Sequence, residues 1–225
     1  MKRLLCLLLV FSLFGCSQQE KSNYEKLSND AVITQSFTDA ERQNLAKILD
    51  FVEDQICKDS KEISPQLCYE ALLIKDSIKS TQDGILRVLD YQEQKILYKE
   101  LDSSFINDLW SREGEKFINR YVGDSLYTYK YESFHLKPFG SKYANFLEKF
   151  AQQNEYVKHY LERARVPGEF YTPYLSVYMS IDYRKFDFSD IKIQLLYAFY
   201  YLDINENNIH PYDKAEKWLQ KLKEN

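Results

Sequence analysis

Glycine and proline are scarce, six and five among 225 residues. No glycine-rich run exists to cradle a phosphate, and no Gly-x-Ser-x-Gly lifts a serine onto a strained strand-to-helix turn, so those two catalytic signatures are missing. Histidine is scarcer still: His135, His159 and His210, far apart in the chain. With only four cysteines beside them, no cluster has the spacing of a zinc site. Apolar runs stay short of the roughly 20 residues a helix needs to cross a bilayer. Positive charge is not in surplus either. The formal charge is −4, and without a surplus of Lys and Arg to displace counterions, nucleic acid is excluded as a partner. Nothing calls for a cofactor or a metal.

Aromatic residues are abundant instead, 16% of the chain with 19 Tyr and 14 Phe. A tyrosine offers an apolar body and a polar tip, so it can finish a core near the surface or line a binding face. Apolar content of 44% against 28% charged is ordinary for a globular protein.

Met1-Lys2-Arg3 makes a basic start, and Leu4 to Phe14 is apolar except for Ser12. That run has the length of a signal-peptide core. It ends in Leu13-Phe14-Gly15-Cys16, which resembles the lipobox of bacterial lipoproteins: an apolar residue, then a small residue directly before cysteine. Phe14 is bulkier than the family's commonest choice. The resemblance implies a thioether-linked diacylglycerol on Cys16, cleavage before it, and usually a fatty acyl chain, commonly palmitate, on the new N-terminus. Two or three acyl chains anchor a protein firmly, where one does not. Ser17 stands where an aspartate would favour inner-membrane retention, so the implied address is the outer membrane, facing periplasm or cell surface. Residues 1–15 are thus expected to be a signal peptide and 16–35 a lipidated tether. From Ser17 to Thr34 no apolar period is sustained, and a flexible chain of that length reaches roughly 25 Å. Losing Lys2 and Arg3 takes the formal charge from −4 to −6. Residues 36–225, roughly 190, suit a single domain.

Cys6 leaves with the leader and Cys16 is expected to be acylated, so Cys57 and Cys68 remain. Thr38-Asp-Ala-Glu41 is a capping box for a helix through Leu45, Ile48, Leu49, Val52 and Ile56. Ser64-Pro65 opens the next helix. Cys57 and Cys68 then face each other across a helix corner, where a disulfide would form in an oxidising compartment.

Helical spacing continues from Gln66 to about Leu101, with a break expected at Gly84, and Asp102-Ser103 is expected to cap a helix through Ile106, Leu109, Trp110 and Phe117. Leu126 to Leu136 alternates instead, with Tyr127, Tyr129 and Tyr131 on one face, and reads as an extended segment whose partner the sequence does not identify. Ser141 to about Arg165 is helical, and 173–182 is nearly balanced between helix and strand, leaning to helix. Ser189 and Pro211 open the last two helices. The predicted fold is therefore mainly α, an irregular set of helical hairpins with a short β segment around 126–136.

The final pair, Leu196-Tyr-Ala198 with Tyr201, a polar turn from Asn205 to Ile209, then Tyr212, Lys214, Ala215 and Trp218, resembles one Sel-one-like repeat, a relative of the tetratricopeptide repeat. Its usual turn glycines are replaced by Asn205, Asn207 and Asn208, and no second copy follows. Such repeats bind proteins.

Weaker motifs have plain explanations. His159-x-x-Glu162 shares a helix face, but two ligands do not make a metal site. Asp203-Ile-Asn205-Glu-Asn207 begins like a calcium loop, then has Asn208 where glycine is needed and Lys214 where the bidentate glutamate belongs. Ser189-x-x-Lys192 matches a nucleophile motif of penicillin-binding proteins without its companions, and Ser189 reads better as a helix cap. No catalytic residue is named. The expected function is an envelope lipoprotein that binds a protein partner, of immunity or assembly type, through Tyr127, Tyr129, Tyr131 and Trp218. The rival is an envelope hydrolase acting on cell-wall or glycan material with paired carboxylates such as Glu113, Glu115, Asp187 or Asp190, which would have to face one cleft about 5 to 9 Å apart.

Overall fold

The computed structural model describes residues 21–58, 64–80, 87–122, 124–137, 139–164 and 185–224. The expected signal peptide, Cys16, Gly84 and the 173–182 stretch lie outside them. The architecture is mainly helical with one β-hairpin.

Two helices occupy most of what the sequence marks as tether: α1 (Asn23–Asn29) and α2 (Ala31–Ser36). Ser22 caps α1 reciprocally with Glu25, and Asp30 Oδ1 accepts the Val32 and Ile33 amides at 2.9 and 3.0 Å to start α2. Leu27, Val32, Ile33 and Phe37 are all buried in the main core, each stabilising by roughly 1.5–3 kcal/mol. Asp30 also receives the Lys192 ammonium at 2.7 Å, tying this segment to the far end of the chain. Over its described part the expected tether is corrected accordingly. Helices of seven and six residues are too short for a 3.6-residue period to show.

In α3 (Asp39–Ile56) the capping box forms, with Thr38 N–H and Oγ both donating to Glu41 Oε2 at 2.8 Å. Cys57 caps its C-terminus and is joined to Cys68 in the first turn of α4 (Pro65–Ser80), with Cα atoms 5.5 Å apart. So short a closed loop removes about 3 kcal/mol of unfolded-state entropy.

The next helices are α5 (Tyr91–Glu100) and α6 (Ser103–Leu109). Lys47 Nζ donates to Glu100 O, and Asn44 pairs with Asp102, at one end; Gln55 bonds Glu93 and the Asp90 amide at the other. Helix α5 therefore runs antiparallel to α3. Helix α1 does so too, with Asn23 beside Asp50 and Glu53 and Ser28 beside Arg42.

Where helix was expected to continue through Trp110 and Phe117, the chain switches to strand β1 (Trp110–Val122), paired antiparallel with β2 (Ser125–Leu136). Strand β1 is the partner that the sequence left unidentified. Helices α7 (Lys142–Ala151) and α8 (Glu155–Ala164) then pack on each other. Helix α9 (Ile191–Ile204) is buried on nearly every side, as a helix that is apolar all round must be. Its N-cap is Asp190, which accepts the Lys192 amide, rather than Ser189.

The expected turn at Asn205–Ile209 is a π-helical segment whose flanking residues all keep right-handed helical dihedrals. It delivers the chain straight into α10 (His210–Glu224), so the hairpin implied by the repeat resemblance is not formed. Gln94 at Leu202 O, Tyr91 at Glu206 and Arg87 at Asp213 set this long helix antiparallel to α5. It therefore points the way α3 points, and α10 runs on beyond the α3 C-terminus.

Candidate functional site: a buried polar seam and the hairpin it holds

Beside the π segment, polar side chains occupy core positions. Gln94, Asp203, Asn205 and Asn207 are each at most 5% exposed, and buried polar groups are stable only when bonded. Asn205 Nδ2 donates to Gln94 Oε1 at 2.7 Å, and Gln94 Nε2 donates to Tyr98 Oη at 2.9 Å and Leu202 O at 3.1 Å. Asn207 treats β2 as another strand would: its Oδ1 accepts the Phe134 amide at 2.9 Å, and its Nδ2 donates to Phe134 O at 2.8 Å. Two residues on, Asp203 Oδ1 accepts the Leu136 amide at 3.1 Å. The outer edge of β2 is thereby closed by a helix, which protects a strand edge from pairing elsewhere. A π turn recurs at functional positions in other helices; here it presents Asp203 and Asn207 to one strand.

Cross-strand partners share a face. Lys116/Tyr131, Ile118/Tyr129 and Arg120/Tyr127 form the inner face. Tyr127 and Tyr129 meet the Trp218 indole at 6.1 and 5.9 Å between centroids, Tyr131 Oη donates to Asn207 O, and Arg120 lies over the Tyr212 ring. The four residues expected to meet a partner therefore do converge, but their rings are half-buried against α10 and the hairpin. They attach the hairpin to the domain, because a two-stranded ribbon is not stable without such a backing. The opposite face carries Glu115, Phe117, Asn119 and Tyr121 on β1, with Leu126, Thr128, Lys130 and Glu132 on β2. Every one of these is exposed, and Phe117, Tyr121 and Leu126 are the large apolar ones.

The seam perturbs two titratable groups. Burial, with the nearby Asp203 charge, raises the Glu206 carboxyl, whose Oε1 accepts the Tyr91 hydroxyl at 3.1 Å. Burial, then the charges of Lys214 and Lys95, lowers His210 to about 4; its ring stacks on Tyr91. The unfolded chain takes up a proton at His210 near the ordinary imidazole value of 6.5, before the native state does. His210 therefore lowers stability as pH falls from about 6.5 to about 4, while Glu206 acts in the opposite sense over its own raised range. His210→Phe should flatten the fall in melting temperature across that window, as read by thermal unfolding from pH 7 to pH 4. An unchanged slope would show that His210 protonates as freely folded as unfolded.

The hydrolase carboxylates fall on two separate elements, Glu113 and Glu115 on β1 and Asp187 and Asp190 in the turn that opens α9. Glu115 pairs with Lys130 on the outer hairpin face, and Glu113 is in register with Ser133 on β1. Asp187 accepts the Ser189 hydroxyl at 2.6 Å, which lowers its pKa, and Asp190 caps α9. Lys192 is held by Asp30 and Asp190, so Ser189 and Lys192 are not a nucleophile pair. A shallow groove of about 620 Å³ between α7 and α8 is lined by Glu148, Lys158 and Glu162 with Ala151, Gln152 and Leu161, of which the sequence singles out Glu162 alone. His159 and Glu162 lie 3.4 Å apart on an exposed face. Cross-strand Ser111 and His135, with Asp203 behind, repeat the residue types of a serine triad, but His135 Nδ1 stands 3.6 Å from Asp203 Oδ2, beyond hydrogen-bond length. Among the described residues, no group of three His, Cys, Asp or Glu is placed to hold a metal, and no helix is long and apolar enough to cross a membrane.

The seam escaped sequence reading because Asn and Asp in that order resemble a turn. One signal was present: positions 196, 200, 203 and 207 continue a single helical stripe, so Asp203 and Asn207 extend the buried face of α9. Comparison with known proteins finds no matching family model, no matching curated protein and no matching solved structure.

Proposed function

We propose that this chain is an envelope lipoprotein, held by lipid on Cys16 to the outer membrane, whose domain binds a protein partner and catalyses no reaction. The observation that carries the binding claim is the unequal treatment of the two hairpin edges. The β2 edge is closed by Asp203 and Asn207, whereas among the described residues no strand pairs with the outer edge of β1. Because the Phe134 and Leu136 amides point away from β1, the alternation of an antiparallel ladder directs the Phe117 and Asn119 amides away from β2. Such an edge is a template for strand addition by an extended segment of another protein.

Asn119→Pro removes an edge donor without removing a ladder bond. With a photoreactive amino acid at Glu115, cells should yield a discrete protein adduct that Asn119→Pro abolishes, while the purified variant melts within a few degrees of the parent. No adduct, or one indifferent to the proline, would remove the basis for the partner claim.

A further inference from the structure

The lipid anchor and the hairpin are connected by geometry. Only six residues, Ser17 to Ser22, separate Cys16 from α1, and that length of chain spans at most about 25 Å when extended. Its far end is fixed, since Asn23 Nδ2 donates to Asp50 Oδ1 and Glu53 Oε2, both at 2.8 Å. The chain thus enters at the C-terminal end of α3. Beyond that same end run α10 and, packed along it, the hairpin. From Glu206 to Trp218 the helix rises about 18 Å. From Tyr129, beside Trp218, the strand climbs about 10 Å more to Leu126. The hairpin tip, with the end of α10 beside it, therefore projects beyond the α3 C-terminus by roughly the length of the leash.

At its tip, Tyr121 and Leu126 are direct cross-strand partners on the outer face, 74% and 53% exposed, and Phe117, 57% exposed, lies two pairs further down, below Asn119 and Thr128. We propose that this tip rests in the lipid–water interface of the anchoring membrane, Tyr121 and Leu126 entering at headgroup level. The proposal rests on the lipid-anchor reading of Cys16. A tyrosine beside a leucine suits that zone, where a ring can bury its body and leave its hydroxyl wet. The turn residue Asp124 is exposed and opposes deeper entry, which limits the contact to the interface. Two side chains would bind vesicles poorly by themselves. On a leash this short the local lipid concentration is high enough that they need not bind alone. The contact would stop the domain rotating about its anchor and would present the β1 edge sideways, along the membrane.

The test uses the full-length mature protein in phosphatidylcholine vesicles with and without brominated acyl chains. Leu126→Trp should be quenched several-fold more strongly by brominated lipid than Ser104→Trp, an exposed position at the opposite end of α3, over the constant background of Trp110 and Trp218. Equal quenching at the two positions would overturn the proposal, and so would a protein adduct at position 126 in cells without lipid quenching. A second preparation, with the Cys16 end replaced by a histidine tag held on nickel-chelating lipid, imposes the leash independently of native lipidation. If the native protein fails to float with vesicles while the tagged one shows quenching at 126, the anchor reading fails and the tip assignment stands. Flotation of the native protein with no quenching in either preparation gives the reverse.

Discussion

Asn207→Ala is expected to lower the unfolding free energy by about 3 kcal/mol, because it leaves the amide and the carbonyl of Phe134 without partners in a water-poor seam. Loss of a buried side chain would account for part of that. The location of the damage separates the two causes. Backbone amides of β2 from Phe134 to Leu136 should exchange with solvent markedly faster, while those of α3 and α7 should follow only the global change. Asn207→Asp keeps the acceptor for the Phe134 amide and loses the donor, so it should fall between the parent and the alanine variant. Denaturant unfolding and native-state hydrogen exchange together read this result. A uniform change with no excess at β2 would show that Asn207 merely fills space.

Trp110→Ala should be the most damaging single substitution on the hairpin, about 3–5 kcal/mol. Trp110 is 2% exposed where the hairpin joins the core, with rings of Phe134, Tyr98 and Phe199 at 6.0, 5.9 and 5.7 Å. Trp110→Phe is the informative control. The indole Nε1 of Trp110 is buried with no hydrogen-bond partner among the described residues, so the smaller ring removes an unsatisfied donor as it removes volume. The two effects oppose each other, and the net cost should stay within about 1.5 kcal/mol. If phenylalanine costs as much as alanine, packing around the indole rather than burial of a ring governs the site. Chemical denaturation of both variants decides it.

These two residues mark where the fold was legible in the sequence and where it was not. Local signals were read well where a whole device lies within a few residues: the Thr38–Glu41 capping box, the start at Ser64-Pro65, and the helix corner that brings Cys57 to Cys68. The β segment at 126–136 was visible because Tyr127, Tyr129 and Tyr131 alternate. Its partner was not, because a bulge between Glu113 and Glu115 shifts the alternation of β1, and Lys116 and Arg120 hold inner-face positions that a core strand would give to apolar residues. There, tyrosine rings of β2 and the α10 surface supply the cover. The N-terminal helices α1 and α2 were misread as tether for a related reason: two turns each, separated by a capping aspartate, leave no period to detect. At 205–209, local asparagine preference for turns lost to tertiary hydrogen bonding with β2. The expected binding residues Tyr127, Tyr129, Tyr131 and Trp218 belong together, yet as the joint that fixes the hairpin. The outward residues Phe117, Tyr121 and Leu126 passed unnoticed, since exposure depends on which face α10 covers.

With α1 and α2 inside the core, the domain of this account can no longer swing freely on a long tether. On the proposed lipid anchor, its working surface would lie within a few residues' reach of the bilayer, and that closeness depends on Cys16. Mass spectrometry of the amino-terminal peptide from protein extracted from the envelope tests this directly. The predicted species begins at Cys16, carries diacylglycerol on sulfur, and lacks residues 1–15. A peptide that retains the leader, or a mature end with a bare thiol, would contradict the account.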